Sequence, residues 1–335
     1  ELYGCYGRQN VVFVGDYSQL EPIPTSGRPV YEHKYLAEWH GSINCFIELD
    51  GRHRFRHDPV WGEILGRFRE GSPTLEDIQR INEKCGVSRR GPTPRGTQVA
   101  SYVNKTRDFV NNDAFKRYCE KFKPPAGGVL ESACVIFMDS LEMCNSGKVY
   151  TPVNSNALAR LFYSTIGEDD CKVPESSRKG RVDPVLKLYG GCALMLTQNS
   201  DVGNGQANGS RLTLHKIVVK RGERHWPLKL QSGVTVNALY ANQVRHVVVK
   251  HVAADVDPMI FAVETQSYPF TCKLEVEQGI EVNAKMKGMQ FPLISNLCTT
   301  GHKLQGCGVD NLFVDEWFYG QNWPYVVLSR VKRMK

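Results

Sequence analysis

The sequence predicts an α/β protein built on parallel sheets and interrupted by an all-β insertion. Three observations carry this reading. Val11-Val12-Phe13-Val14 and Leu312-Phe313-Val314 are short, unbroken apolar runs, as suits strands covered on both faces in a parallel sheet. Between them lie segments with apolar residues at helical spacing. From about 210 to 290 the pattern changes to short strand-like segments punctuated by glycine, with almost nothing helical.

At 335 residues the chain is long enough for two or three domains. A hydrophobic content of 41% and a charged content of 23% are those of a soluble globular protein. No apolar run approaches the roughly 20 residues of a membrane helix, so a membrane is not an expected partner. The net charge of +7 is compatible with a polyanionic partner without requiring one. Eleven cysteines with no C-x-x-C pair point away from a zinc module or disulfide framework, and towards reduced thiols in an intracellular compartment. The chain opens at Glu1, its first methionine is Met138, and no signal segment leads it. It is therefore expected to be a fragment of a longer product.

In chain order, 11–14 is the opening strand and 46–49 a second one. Asp58-Pro59 is a helix start, with Pro59 suited to the first helical position. Trp61, Ile64, Leu65 and Phe68 then share one face, and Gly71 closes that helix. Thr74 and Asp77 are placed as a capping box for a helix bearing Leu75, Ile78 and Ile81, ended by Gly86. Residues 88–96 read as a linker, 98–103 as a strand and 106–118 as a helix. Residues 124–180 give no clear pattern beyond a loop around 172–181. Strands are expected at 185–188, 192–197, 212–219, 234–239, 244–249, 260–263 and 273–276. Residues 292–305 read as a helix, 312–314 as a buried strand, and 325–328 as a buried element presenting Arg330.

Chemistry is expected at three places. Asp16 and Gln19 follow the opening strand on a loop stiffened by Pro22 and Pro24, and open α/β sheets bind ligands beyond the carboxyl ends of strands. The plainer alternative is an ordinary polar turn. Thr300 to Gly306 is either a phosphate-contacting loop, with Lys303 as a point charge and Thr300 as a hydroxyl, or a solvated helix end. Arg330 is either a surface charge or an arginine that stabilises a transferring phosphoryl group. Ser146-Gly147-Lys148-Val149 resembles the end of a P-loop, but Glu142 stands where its first glycine belongs and Val149 replaces the Ser/Thr. Leu312 to Glu316 resembles a magnesium-holding strand and acid pair, but without an upstream P-loop it reads as a strand end. His215 and His246 read as structural.

Taken together and in order, five segments resemble the Pif-type and RecD-like DNA helicases of superfamily one, including the helicase part of Helitron-like mobile elements. VVFVGDYSQLEP resembles that family's third helicase motif, and ELDGRHRF with DPVWGEILGRFREG the segment carrying its fourth-motif arginine. LMLTQNSDVGNGQANGSR resembles the strand and Asn-Gly turn leading into the family's inserted barrel. TTGHKLQG resembles the fifth motif and YVVLSRVK the sixth.

The resemblance implies α/β architecture of the RecA-like, P-loop NTPase type with an inserted small β-barrel. Residues 1–94 would be the C-terminal part of a truncated first RecA-like domain, 95–209 and 291–335 a second, and 210–290 the barrel. It implies ATP and Mg2+ as cofactors, single-stranded and duplex DNA as partners, 5′ to 3′ translocation with duplex unwinding, and nuclear residence. Gln19 would sense the γ-phosphate and Asp16 support the magnesium side. Arg54 and Arg330 would reach the phosphates from two sides. Thr300, His302 and Lys303 would contact the DNA backbone, with Gln305 and Gly306 coupling that contact to the nucleotide. The P-loop lysine and the magnesium ligands are expected upstream, with no metal ligand in this chain.

Gly301 and Leu304 stand where the family has a β-branched residue and a serine, which implies weaker DNA contact. Exchanging them for Ile and Ser is expected to tighten binding. Three readings stay open: part of a helicase inactive by itself, a helicase remnant that holds single strands without ATP turnover, and a structural α/β protein with incidental matches.

Overall fold

The structure, a computed structural model, describes residues 9–16, 18–20, 43–48, 53–85, 96–144, 150–152, 182–252, 259–277, 280–320 and 322–334. The loop at Pro22 and Pro24, the stop at Gly86, residues 88–95 of the linker, the Ser146 to Val149 look-alike and the 172–181 loop lie outside these residues. The chain divides into two compact units, Glu1–Asn104 with Thr299–Lys335, and Lys105–Cys298.

The first unit holds a three-stranded sheet in the order Cys298–Thr300, Thr97–Ser101, Asn311–Val314. The last two run parallel, with Val99 opposite Phe313 and Ala100 opposite Val314. Ala100, Leu304, Val309, Trp323, Val326 and Val327 pack around this sheet, joined by Leu20. Asp58 caps the helix Pro59–Arg69 by accepting from the Trp61 amide at 3.0 Å, and Pro59 occupies its first turn. Its apolar face buries Trp61, Ile64 and Leu65 against Leu328 and Tyr325 of the short helix Trp323–Leu328. The capping box on Leu75–Cys85 is also present: the Thr74 amide donates to Asp77 Oδ2 and the Asp77 amide to Thr74 Oγ1. A bidentate Arg67 guanidinium then holds the Asp77 carboxyl far below the usual carboxylate range.

Three expectations need correction here. Residues 11–14 form no strand, and Val12 and Val14 are 85% and 86% exposed. Residues 43–48 likewise carry no strand, with Phe46 and Ile47 exposed. An apolar run becomes a strand only when a neighbour completes its hydrogen bonds, and among the described residues no ladder reaches either segment. The helix Leu75–Cys85 forms as expected, with Leu75 80% exposed and Ile81 packed against the Trp61 cluster. Residues 292–305 are not one helix. They form the strands Leu293–Ser295 and Cys298–Thr300, and only Gly301–Leu304 is helical.

The reason for that last difference lies in the second unit. Leu293–Ser295 pairs with Ala193–Leu196 at the end of a five-stranded antiparallel sheet that continues through Arg211–Val219, Val244–His251 and Ile260–Val263. Asn111, on the helix Asn104–Lys121, fixes the following turn. Its Oδ1 accepts from the Cys298 amide at 2.8 Å and its Nδ2 donates to the Cys298 carbonyl at 2.9 Å. A second sheet joins Gln266–Glu277, Ile280–Gln290, Asp139–Cys144 and Tyr150–Pro152. A third joins Val185–Tyr189, Val129–Phe137, Thr235–Tyr240 and Trp226–Lys229. The all-β part thus begins well before 210, in residues whose sequence shows no clear period. Among the described residues these sheets are open.

The buried amide of Gln290 ties this unit together, donating to the Ile136, Asp183 and Pro184 carbonyls at 3.2 to 3.3 Å. Beside it, burial pushes the Asp183 carboxyl up to about 6, against the opposing pull of Arg107 and Lys187. The fold therefore favours protonated Asp183. Its contribution is full below the unfolded carboxylate range near pH ~4 and is lost as pH rises through about 6. Asp183→Asn is expected to flatten stability across that window and to exceed the wild type at pH 7 by at most about 3 kcal/mol. Urea midpoints at successive pH values check this; parallel wild-type and variant profiles would contradict it.

Candidate functional site

Within the first unit, the residues singled out in the sequence gather around the segment Thr300 to Cys307. Asp16 organises its own loop, Oδ1 accepting from the Ser18 amide at 3.0 Å and its carbonyl from the Gln19 amide at 3.1 Å, in an Asx-type turn. Its carboxylate also accepts from Gln19 Nε2 at 3.4 Å and Arg69 at 3.3 Å. At its other end, Gln19 Oε1 accepts from Gln305 Nε2 at 2.7 Å. A continuous chain of side chains therefore runs Arg69, Asp16, Gln19, Gln305, and it brings together two segments 286 residues apart.

Arg54 and Arg330 meet on the far side of the same turn. Arg54 sits on the 3-10 turn His53–Phe55 and donates to the Cys307 carbonyl at 3.0 Å and the Arg330 carbonyl at 3.4 Å. Arg330 is 4% exposed and wholly engaged. Its Nε donates to the Val326 carbonyl at 2.6 Å, one terminal nitrogen to the Leu304 and Cys307 carbonyls at 3.4 and 3.5 Å, and the other to Ser329 Oγ at 2.6 Å. Burial lowers the pKa of both guanidiniums, and for Arg330 the charge of Arg54 adds to the effect. Among the described residues neither is held by a carboxylate ion pair. Tyr325 lies within the field of Asp16, Arg69, Arg330 and Arg54, and burial raises its phenol.

The turn between these groups is shaped by Gly306, whose φ of +80° is left-handed and favours glycine. Thr300 is buried at the sheet end with no side-chain capping bond. His302 is half-buried, and burial lowers its pKa, leaving it neutral at pH 7. Lys303 alone of the three presents an exposed cation. Gly301 lies against the indole of Trp323: an added Cβ would meet Nε1 and would stand 3.0 Å from Cδ1. Leu304 is fully buried in the same cluster. The exchange to Ile and Ser is thus expected to carry a packing loss as well.

The Pif1 helicase of Candida albicans superposes on this chain with a TM-score of 0.56 at 19% identity, covering 95% of this chain and 61% of its own. Bacteroides Pif1 bound to single-stranded DNA gives 0.55 at 17% identity, covering 98% and 61%. Bacteroides Pif1 in complex with ADP-AlF3 and single-stranded DNA gives 0.53 at 16%, covering 96% and 59%. The chain has the fold of Pif1 helicases. It spans about three fifths of the length of those relatives. No protein-family model and no curated protein matches the sequence.

Seen beside the Pif1 fold, the cluster fits one implied cofactor and not the other. Two guanidiniums, one buried and one half-buried, that share a neutral carbonyl instead of a carboxylate suit an anionic phosphate. The described residues contain no group of three or more His, Cys, Asp or Glu placed to hold a metal, and Asp16 is already engaged by Arg69. They do not fit a magnesium site. Arg69, Cys307 and Tyr325 escaped the sequence reading. Arg69 sits at a helix end where a basic residue is ordinary, Cys307 acts through its backbone, and Tyr325 lies within an apolar run. Only the spacing of Tyr325, five residues ahead of Arg330, offered a signal.

Proposed function

We propose that this chain supplies the phosphate-sensing half of the ATP site, and part of the DNA track, of an ATP-dependent helicase that moves 5′ to 3′ on single-stranded DNA. The observation that carries the reading is the 2.7 Å Gln305 to Gln19 hydrogen bond, because it connects the strand-side segment directly to the phosphate-side loop. The fold shared with Pif1 structures that hold single-stranded DNA supports it. On this reading residues 1–94 close one RecA-like domain, 95–209 with 291–335 form another, and 210–290 correspond to the inserted small barrel. The phosphate-cradling lysine and the magnesium ligands are, on the same reading, supplied from outside these 335 residues, and the product works in the nucleus.

Bound ATP supplies the transferring phosphoryl group. Arg54 and Arg330 place positive charge beside it, the kind of preorganised stabilisation on which phosphoryl transfer depends. Gln19 orients a water once one end of its amide leaves Asp16 or Gln305. Gln305, on the turn after Lys303, transmits that exchange to the DNA side.

A product extended to include the upstream coding sequence is expected to hydrolyse ATP with stimulation by single-stranded DNA, while the 335-residue chain does not. Arg54→Ala in the extended product is expected to lower turnover about 10³-fold or more with DNA binding retained. Hydrolysis by the short chain would refute the division of labour. If the extended product is inactive and the short chain still binds oligonucleotides with affinity that falls as salt rises, the remnant reading replaces the enzyme.

A further inference from the structure

We infer that Trp317 and Tyr319 form a ledge on which bases of single-stranded DNA stack, beside the phosphate contact at Lys303. The inference rests on the strand-binding reading above and deepens it.

The segment after the strand Asn311–Val314 alternates its side chains. Phe318 turns inward and stacks on Tyr102 with ring centroids 4.0 Å apart and planes 10° from parallel. Trp317 and Tyr319 turn outward, and Tyr319 is 85% exposed. Their rings lie 15° from parallel with centroids 6.5 Å apart. That separation is about two stacking intervals of ~3.4 Å, the distance between next-nearest bases in a stacked strand. The ledge is rigid at its root, since Trp317 meets the buried Trp323 edge to face at 5.8 Å. Trp323 in turn packs on Gly301, at the start of the short helix that carries Lys303. Buried packing through Trp323 and Gly301 therefore connects the two exposed rings to the short helix that carries the exposed Lys303.

Charge sorts the occupant. Glu316 is drawn back by the Val103 amide at 3.2 Å, and Asp315 stays exposed beside the ledge. Those carboxylates repel phosphates and leave the ring faces to neutral bases, so the backbone runs along the Lys303 side. Stacking of this kind tolerates any base, as a translocating protein requires.

The test uses the 335-residue chain, a dT oligonucleotide and an abasic oligonucleotide of the same length, with affinities read by fluorescence anisotropy. The wild type is expected to favour dT. Tyr319→Ala is expected to weaken dT binding by about 5- to 100-fold and leave abasic binding unchanged. Trp317→Ala is expected to act in the same direction, Tyr319→Phe to retain the preference, and Tyr319→Leu to lose it. Equal wild-type affinity for both oligonucleotides, or a preference that survives Tyr319→Ala, overturns the ledge while leaving backbone-mediated strand binding standing. Failure to bind either oligonucleotide overturns both. A Tyr319→Leu variant that binds like the wild type assigns the patch to general apolar contact and also overturns it.

Discussion

Arg330→Ala is expected to cost about 3 kcal/mol of unfolding free energy or more, well beyond the loss of a surface charge. The side chain is buried, and its three nitrogens serve the Val326, Leu304 and Cys307 carbonyls and the Ser329 hydroxyl. Removing it takes a charged donor from each of these acceptors and leaves a void in a region closed to water, even though Arg54, the Ser329 hydroxyl and the Cys307 amide still reach the Cys307, Val326 and Leu304 carbonyls. Arg330→Lys keeps the charge but has no planar fork, so it should recover only part of the loss. Arg54→Ala is the contrast. Arg54 is only half-buried, and Arg330 still reaches the Cys307 carbonyl without it. Its stability change should therefore be the smaller one, while phosphate binding drops. Urea unfolding of the three variants, set beside binding of an ATP analogue to the extended product, separates the roles. Equal stability of Arg330→Ala and wild type would show that the guanidinium does not hold this turn.

The second large effect belongs to Gly301→Ile. The added Cβ meets the Trp323 ring, and overpacking of a filled core costs about 1–3 kcal/mol. Leu304→Ser removes a buried aliphatic side chain from the same cluster and is expected to cost about 2–4 kcal/mol more. These residues share neighbours, so their effects should not simply add. Trp323→Phe offers a smaller ring. It should destabilise the wild type yet recover part of the loss in the Gly301→Ile background. A strictly additive pair of changes would argue against the contact.

These particulars show what could be read from the chain alone. The helix Pro59–Arg69 was legible because its cap, its proline and its apolar stripe are all local signals. The strands Leu293–Ser295 and Cys298–Thr300 were not, because Leu293, Ile294 and Cys298 are buried together and their spacing also fits a helix. What decides the matter is pairing with Ala193–Leu196 and the Asn111 amide, both far away in sequence. Val129–Phe137 was hidden for a related reason, since its parallel partner Thr235–Tyr240 lies a hundred residues on and the register shifts along the pair. Exposed Val12 and Val14 mark the opposite error, in which a convincing pattern has no ladder to join among the described residues. Of the site, the resemblance singled out Gln19, Gln305, Arg54 and Arg330 but set the two arginines on opposite sides of a nucleotide, whereas they lie side by side. That the two arginines meet at the Cys307 backbone oxygen could not be read from side chains.

If the proposed function holds, that oxygen sets the terms on which a phosphate can enter. The Cys307 carbonyl already accepts from both guanidiniums, so the resting pocket is satisfied rather than vacant. An arriving phosphate must displace a partner, and the net gain is the difference between a charged acceptor and a neutral one. Such a swap favours modest affinity and fast release. It also ties release to the shape of the Gly306 turn, because the carbonyl can reclaim its donors only while that turn keeps its left-handed geometry. On the proposed reading, a pull on Lys303 from the strand side would act on the off-rate of the nucleotide through the turn from Leu304 to Cys307.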